Sequence, residues 1–168
     1  IWASWNGREA DEELRQRVSE EYAALLRRFP SSWNVLQDRG NFHMRHGELR
    51  KAEVDLSAAL DLNPDRAELW NDRAACRAQA GKHEEACADA RQAIQLTPDS
   101  YEAFSVLGRS LFFLQDYESS IAAFTEGLST ISLEDEQQHT QSVSFDKTYL
   151  AKAKQELAAL IAATQETT

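Results

Sequence analysis

The sequence is poor in residues that break or cross-link a chain: it has six glycines, three prolines and two cysteines among 168 residues. Scarce glycine and proline exclude a collagen-like or low-complexity chain and favour long regular elements. Ala, Leu, Glu, Gln and Arg are common and β-branched residues are few, so we predict helices rather than a sheet. No apolar run is long enough to cross a membrane, and we expect no membrane insertion.

Basic residues are fewer than acidic ones: the sequence has 18 Lys and Arg against 28 Asp and Glu, which gives a net charge of −10. This balance argues against nucleic acid or an anionic membrane as partner and leaves a basic protein partner open. Cys76 and Cys87 form no metal-binding pattern, and such sparse cysteine suits a reducing, cytoplasmic compartment. The opening IWASWNGREADEELRQ lacks Met and signal-peptide features, so a fragment or a processed chain is expected.

The three prolines reveal an internal repeat, because Pro30, Pro64 and Pro98 are each 34 residues apart. A 34-residue frame that starts at Trp33, Ala67 and Tyr101 aligns apolar and small residues at the same positions of each copy. The aligned sets are Leu36, Trp70 and Phe104; Gly40, Ala74 and Gly108; Ala52, Ala86 and Ser120; Leu56, Ala90 and Phe124; Ala59, Ala93 and Gly127; Leu60, Ile94 and Leu128.

This pattern resembles the tetratricopeptide repeat, a helix pair with a period of 34 residues. The resemblance covers about residues 33–130 and implies an all-α, right-handed superhelical solenoid of antiparallel helix pairs. We expect a lead-in segment at 1–32, repeats at about 33–66, 67–100 and 101–134, a polar acidic stretch at 131–145, and a capping helix at 146–168. The acidic stretch is predicted to be a loop or a helix extension.

Local residues agree with helix pairs. Each proline closes a second helix, and Gly47 and Gly81 supply the turn inside a pair. The spacings Asp65–Glu68 and Asp99–Glu102 predict capping boxes. The third repeat departs from the pattern at its turn residue Gln115, at Ser120 and at Ser132.

Two helices flank the repeats. Leu14, Val18, Tyr22, Leu25, Leu26 and Phe29 form one helical stripe, so a single helix should pack on the first repeat. At the other end, Asp146 is predicted to cap a helix whose apolar stripe is Leu150, Ala153, Leu157, Leu160 and Ile161.

By resemblance, the first helix of each repeat lines a concave face on which partner peptides lie. The positions that face this groove recur every 34 residues. Two of them hold Ala75 and Val106. The candidate partner-binding residues are Asn34, Gln37, Asp38, Asn41, Arg45, Glu68, Asn71, Asp72, Gln79, Glu102, Ser105, Arg109 and Phe113.

Some family members are co-chaperones that hold the acidic C-terminal tail of heat-shock chaperones with a clamp of Lys, Asn, Asn, Lys and Arg. Here the corresponding positions carry Gln37, Asn41, Asp72, Glu102 and Val106. Only the first Asn is kept, and two carboxylates replace ligand-binding groups. We therefore expect no recognition of that tail, because like charges would repel.

Two interpretations of the acidic positions stay open. Asp38, Glu68, Asp72 and Glu102 could form an acidic groove for a basic or amide-rich peptide, or they could only cap helices and face solvent. The predicted function is a non-catalytic interaction module, an adaptor or co-chaperone-like scaffold. The alternative is a structural module that self-associates or docks through its C-terminal helix.

Several smaller features have competing interpretations. Phe112 and Phe113 cannot share a helix face, and Phe113 is the better candidate for a ligand contact. His43, His46 and His83 are expected to be surface histidines rather than a metal site, and Cys76 and Cys87 small packing residues rather than a disulfide. Arg39 and Arg73 share one frame position and should form ion pairs. No catalytic or cofactor-binding motif occurs, so we predict no enzyme activity and no cofactor.

Overall fold

A computed structural model describes residues 2–131 and 140–166 of the chain. Within these residues all regular structure is α-helical, which confirms the predicted all-α class of antiparallel helix pairs. The helices are α1 (Trp2–Arg28), α2 (Trp33–Arg45), α3 (Leu49–Leu62), α4 (Ala67–Gln79), α5 (His83–Leu96), α6 (Tyr101–Phe113), α7 (Tyr117–Thr130) and α8 (Thr140–Glu166). The chain divides into two compact units, Ile1–Asn63 and Pro64–Thr168.

The first unit is a helix pair with one additional helix. Helices α2 and α3 pack along their length, and α1 packs against α2. Tyr22 of α1 meets Phe42 of α2, with ring centroids 5.8 Å apart. Gly40 allows α2 to approach α3, because a Cβ at this position would lie 2.9 Å from Cγ of Leu56.

The second unit contains the pairs α4–α5 and α6–α7, followed by α8. Helix α6 packs on α5 and also touches α4; α8 repeats this relationship by packing on α7 and also touching α6. Cys87, Val106, Leu107 and Leu111 belong to the core between these pairs. Both cysteines are buried, as expected for small packing residues, and burial raises the pKa of the Cys87 thiol.

Helices α6 and α7 approach closely because a small residue on α6, Gly108, lies against a large side chain on α7, Phe124. A Cβ on Gly108 would lie 2.8 Å from the Phe124 ring, and the preceding pair, α4–α5, has Ala74 and Ala90 at the same positions. The Ser120 hydroxyl is fully buried and donates to the Gly108 carbonyl at 2.8 Å. A departure from the repeat pattern is therefore accommodated by a hydrogen bond rather than by a change of fold.

The three turns inside the helix pairs have one backbone conformation. Gly47 and Gly81 both have a φ of 75°, as the turn prediction requires, and Gln115 has a φ of 64°. The left-handed region disfavours residues that carry a Cβ, so Gln115 holds the third turn at a conformational cost.

The predicted helix caps are wrong at two places. Helix α4 has Arg66 at its N-cap, and the Arg66 side chain does not cap the helix, whereas Ser100 caps α6 by accepting from the Ala103 amide at 3.3 Å. Asp65 and Asp99 lie one residue before these cap positions, so neither forms the predicted capping box.

The C-terminal helix begins earlier than predicted. Helix α8 starts at Thr140, which places Asp146 inside the helix rather than at its cap. Asp146 is 1% exposed and accepts a hydrogen bond from the Tyr101 hydroxyl at 2.8 Å. Residues 140–145 of the predicted acidic stretch are helical, and Ser132 lies outside the described residues. Ala153 is buried, whereas Leu160 and Ile161 remain about half exposed.

Candidate functional site

The second unit carries a groove lined by aromatic side chains, with a volume of about 180 Å³. We call it the aromatic groove. Its lining residues are Ala75, Ala78, Gln79, His83, Val106, Arg109, Ser110, Phe113, Phe145 and Tyr149. They come from α4, the start of α5, α6 and α8, so the groove exists only because α8 packs beside α6.

Phe113 is an exposed aromatic residue among the predicted groove residues that line this depression. Its ring is 54% exposed and stacks on the His83 imidazole with centroids 4.8 Å apart. Phe112 points elsewhere: its ring meets Tyr117 at 5.6 Å and Tyr149 at 5.0 Å. The two phenylalanines therefore have different roles, and Phe113 is the one that a ligand can reach.

Helix α8 completes the aromatic wall with two residues that the sequence did not single out. Phe145 is 54% exposed, and its ring lies 5.2 Å from that of Tyr149. Exposed aromatic rings around a concave surface supply contact area at a small cost in conformational entropy, so they are typical of peptide-binding sites. The groove could not be found from the repeat frame alone, since α8 lies outside the frame.

Arg109 is the only Arg or Lys among the lining residues, and the fold balances its charge. Its Nε donates to the Ser105 carbonyl at 3.3 Å and lies 3.8 Å from Oδ1 of Asp146. Because the buried Asp146 carboxylate is already nearby, Arg109 does not require an acidic ligand for neutralisation.

The other predicted residues of the second unit lie in different environments. Glu68 and Glu102 are exposed, Asn71 and Asp72 are half-buried, and Gln79 is exposed at the edge of the groove. The Glu68 carboxylate lies 3.5 Å from Nε of Arg66. Ser105 is 5% exposed and Val106 is 4% exposed, so their side chains are not on an open surface.

The predicted residues of the first unit all lie on α2. Asn34, Asp38 and Arg45 are exposed, whereas Gln37 and Asn41 are half-buried. Oγ of Ser32 donates to Oδ1 of Asn34 at 2.5 Å.

A larger depression of about 520 Å³ lies in the first unit. Its lining residues are Ser19, Ala23, Arg39, His43, Arg50, Lys51, Val54 and Asp55. Two lining residues, Arg39 and Asp55, form two bonds to each other at 2.7 and 2.5 Å. Nδ1 of His43 lies 2.5 Å from the carboxylate of Glu48, an exposed residue outside the lining. Unlike the lining of the aromatic groove, its lining contains no Phe, Tyr or Trp side chain.

The paired arginines behave as the sequence predicted. Arg39 bonds Asp55, and Arg73 bonds Asp89 at 2.8 Å through both Nε and a terminal nitrogen. The expectation of surface histidines is wrong for His43, which is 5% exposed and also approaches Asp55 at 3.8 Å. Among the side chains that the structure describes, no group of three His, Cys, Asp or Glu is placed to hold a metal ion.

Paired helices of constant length, a 34-residue period and left-handed turns define a helical-repeat protein. The tetratricopeptide repeat model matches residues 38–101. The chain belongs to the tetratricopeptide repeat family and has a co-chaperone-like array. Proteins of this family are generally non-catalytic, and the chain is a protein-interaction module.

Known proteins support this assignment. The chain is 30% identical over 131 residues to the heat-shock protein cognate co-chaperone sgt12 of Aspergillus fumigatus, covering 70% of the chain and 38% of that protein. It spans about a quarter or less of several other curated relatives. The Sgt2 tetratricopeptide domain of A. fumigatus is 26% identical with a TM-score of 0.66, covering 75% of this chain and 79% of that one.

Some of the similar structures were solved with a bound peptide. The second tetratricopeptide domain of human RPAP3, solved with the HSP70 peptide SGPTIEEVD, is 25% identical with a TM-score of 0.61 and covers 71% of this chain and 92% of that one. Among the described helices of the present chain, none is long and apolar enough to cross a membrane.

Proposed function

We propose that this chain binds an extended peptide of a partner protein on the face that carries α4 and α6, and anchors one apolar side chain in the aromatic groove. The observation that supports this most is the position of Phe113. Its ring is half exposed, stacked on His83, and surrounded by Phe145 and Tyr149. Such a pre-formed aromatic site is typical of an anchor position in peptide recognition.

The proposed ligand is apolar at its anchor and basic or amide-rich beside it. Glu68 and Glu102 lie in the first turns of α4 and α6, and Asp72 lies one turn further along α4. Asn71 and Gln79 add amides that can bond to a peptide backbone. A basic or amide side chain on the ligand would complement these groups, whereas a second carboxylate would be repelled.

We also propose that the acidic tail of heat-shock chaperones is not the ligand, although relatives of this chain are named as co-chaperones. The second unit has Asp72, Glu102 and the buried Val106 where the resemblance implies Asn, Lys and Arg. Arg109 is a weak substitute for them, because the buried Asp146 carboxylate 3.8 Å away offsets part of its attraction for an acidic tail. In the first unit, Gln37 takes the place of the other Lys.

A titration with two fluorescent peptides tests this proposal. The first is SGPTIEEVD, the peptide held by the human RPAP3 domain. The second has lysine at each acidic position and an amidated C-terminus, and keeps the isoleucine as the apolar anchor. We expect the second peptide to bind about tenfold more tightly, which corresponds to about 1.4 kcal/mol. Tight binding of the acidic peptide that is lost on amidation of its C-terminus would contradict the proposal.

The Phe113→Ala variant should weaken binding of the preferred peptide, because it removes the anchor contact. Leu96→Ala on α5 is a matched control, since Leu96 is 42% exposed and does not line the groove. Equal affinities of the two variants for the peptide would place the binding site elsewhere.

A further inference from the structure

A buried carboxylate behind the aromatic groove has one oxygen without a hydrogen-bond donor. Oδ2 of Asp146 accepts from the Tyr101 hydroxyl at 2.8 Å, whereas Oδ1 accepts from none of the residues that the structure describes. The whole residue is 1% exposed, so a ligand in the groove does not touch it. An incompletely bonded carboxylate at such depth costs stability, and proteins keep one mainly where it has a further role.

The cation that faces this oxygen is Arg109, which lines the groove. Its Nε lies 3.8 Å from Oδ1 of Asp146, too far for a hydrogen bond, and donates to the Ser105 carbonyl at 3.3 Å. The two opposite charges still attract each other at this separation, because the carboxylate is shielded from water. The inner edge of the guanidinium is therefore held by one carbonyl oxygen and one negative charge.

The outer edge of the same guanidinium is available to a ligand. The Arg109 side chain is 38% exposed, and both contacts described above are made by Nε. Within the described part of the chain, no acceptor bonds the terminal nitrogens. These nitrogens form a planar fork of N–H donors, which can bond a carboxylate, a peptide carbonyl or a side-chain amide.

Asp146 determines which of these acceptors is favoured. An isolated guanidinium prefers a carboxylate. Here a ligand carboxylate would be attracted by Arg109 and repelled by Asp146, and it would also lose its own hydration in the groove. An uncharged carbonyl or amide oxygen accepts the same N–H groups without the repulsion and with a smaller loss of hydration.

We propose that Asp146 is a specificity-determining residue that acts through Arg109 and selects an uncharged acceptor, rather than a carboxylate, beside the apolar anchor of the ligand. The inference rests on the proposed function, because the peptide must occupy the aromatic groove. Asp146 is a positioning residue, since it does not itself touch the ligand. The competing interpretation is purely structural: Asp146 only joins α8 to α6 through Tyr101. Loss of either role can weaken binding, but only the first changes which peptide is preferred.

The preference between two peptides is therefore the measurement. One peptide is SGPTIEEVD. The other has Gln or Asn at each acidic position and an amidated C-terminus. Asp146→Asn keeps the side-chain shape and an acceptor for Tyr101 but removes the charge, and we expect the preference for the amide peptide to fall about fivefold.

Arg109 provides the opposite change. Arg109→Met leaves the Asp146 charge unbalanced, so the preference for the amide peptide should rise by about the same factor. The double variant loses both charges of a balanced pair, and its preference should stay within about twofold of the wild type. Opposite shifts in the single variants and recovery in the double variant are the expected signature of the pair.

Two controls separate this role from stability and from net charge. Tyr101→Phe removes the hydrogen bond to Asp146 but keeps the carboxylate, so both peptides should be affected equally and the preference should not change. Glu126→Gln removes an exposed carboxylate on α7, a helix that contributes none of the described lining residues. It should leave the preference as in the wild type. Circular dichroism at the assay temperature verifies that each variant is folded.

The outcomes distinguish this inference from the proposed function. An unchanged preference in Asp146→Asn, or an equal shift in Glu126→Gln, would overturn the role of Asp146 even where Phe113→Ala confirms the groove. Binding of the lysine-substituted peptide alone, with no affinity for the amide peptide, would overturn the preference for an uncharged acceptor and leave the proposed function standing. Failure of all three peptides to bind the wild type would overturn both.

Discussion

The Tyr101 hydroxyl donates a hydrogen bond to the Asp146 carboxylate at 2.8 Å, and this contact joins the last repeat to α8. Both side chains are buried, at 6% and 1% exposure. Arg109 approaches the same carboxylate at 3.8 Å and also lines the aromatic groove. The packing that stabilises α8 therefore also sets the shape of the proposed peptide site.

Removal of the Tyr101 hydroxyl should destabilise the fold. Tyr101→Phe keeps the ring but takes a donor from a buried carboxylate, and such a loss costs about 1.5–3 kcal/mol. Urea unfolding measures the change in the free energy of unfolding. Tyr117→Phe is the control, because its ring contact with Phe112 is retained and a much smaller loss is expected. Equal losses in the two variants would show that the Tyr101–Asp146 bond contributes nothing particular.

The same bond predicts a dependence on alkaline pH. Burial, followed by the Asp146 bond and charge, raises the pKa of Tyr101 above its ordinary value of 10.0. Ionisation is therefore easier in the unfolded chain than in the folded one. The stability that this group contributes is complete below pH 10.0 and falls as pH rises beyond it. Tyr101→Phe should show a shallower decline in unfolding free energy over that range, and parallel declines would refute the coupling.

A glycine at position 115, in the third turn, should increase the stability of the fold. Gln115→Gly relieves a left-handed backbone at a φ of 64°, and we expect a gain of about 0.5–1 kcal/mol in unfolding free energy. The opposite change, Gly81→Ala, places a Cβ on a φ of 75° with no neighbour within 4 Å, so any loss measures the backbone conformation alone. Thermal unfolding of both variants measures the two effects. A loss of stability in Gln115→Gly would contradict the assigned turn.

The third repeat shows which apolar residues can replace the buried ion pair of the second repeat, so the contribution of that pair to stability can be tested. Asp89 accepts bonds from Arg73 and from Arg77, and the third repeat has Leu107 and Ala123 where the second has Arg73 and Asp89. Asp89→Ala alone leaves arginines without that carboxylate and should cost about 3–5 kcal/mol. The double variant Arg73→Leu with Asp89→Ala should be clearly more stable than the single one. A double variant no more stable than Asp89→Ala would contradict this account.

The sequence predicted the helix pairs well because their constraints are local and recur. Gly40 and Leu56, or Gly108 and Phe124, are matched in size within each pair, and the 34-residue spacing makes such matches visible. Asp146 was misassigned because a carboxylate occupies a position of the buried stripe that also holds Val143 and Ala153. A polar residue there interrupts the apolar pattern, and its partner Tyr101 is 45 residues away.

The candidate site was predicted only in part. Gln79, Arg109 and Phe113 follow from the frame and line one groove, but Phe145 and Tyr149 belong to α8 and share no period with the repeats. Ser105 was expected to face a ligand and is buried instead. Its burial depends on tertiary packing, which the frame does not encode.

The most direct test of the central claim is a chemical-shift map of the isotopically labelled chain, titrated with the amidated, lysine-substituted peptide. We predict that the largest changes occur at the aromatic groove, on Gln79, Arg109, Phe113 and Tyr149, and that Phe113→Ala reduces them together. Changes confined to residues outside the groove, such as Leu160 and Ile161 of α8, would contradict the assignment of this groove as the peptide-binding site.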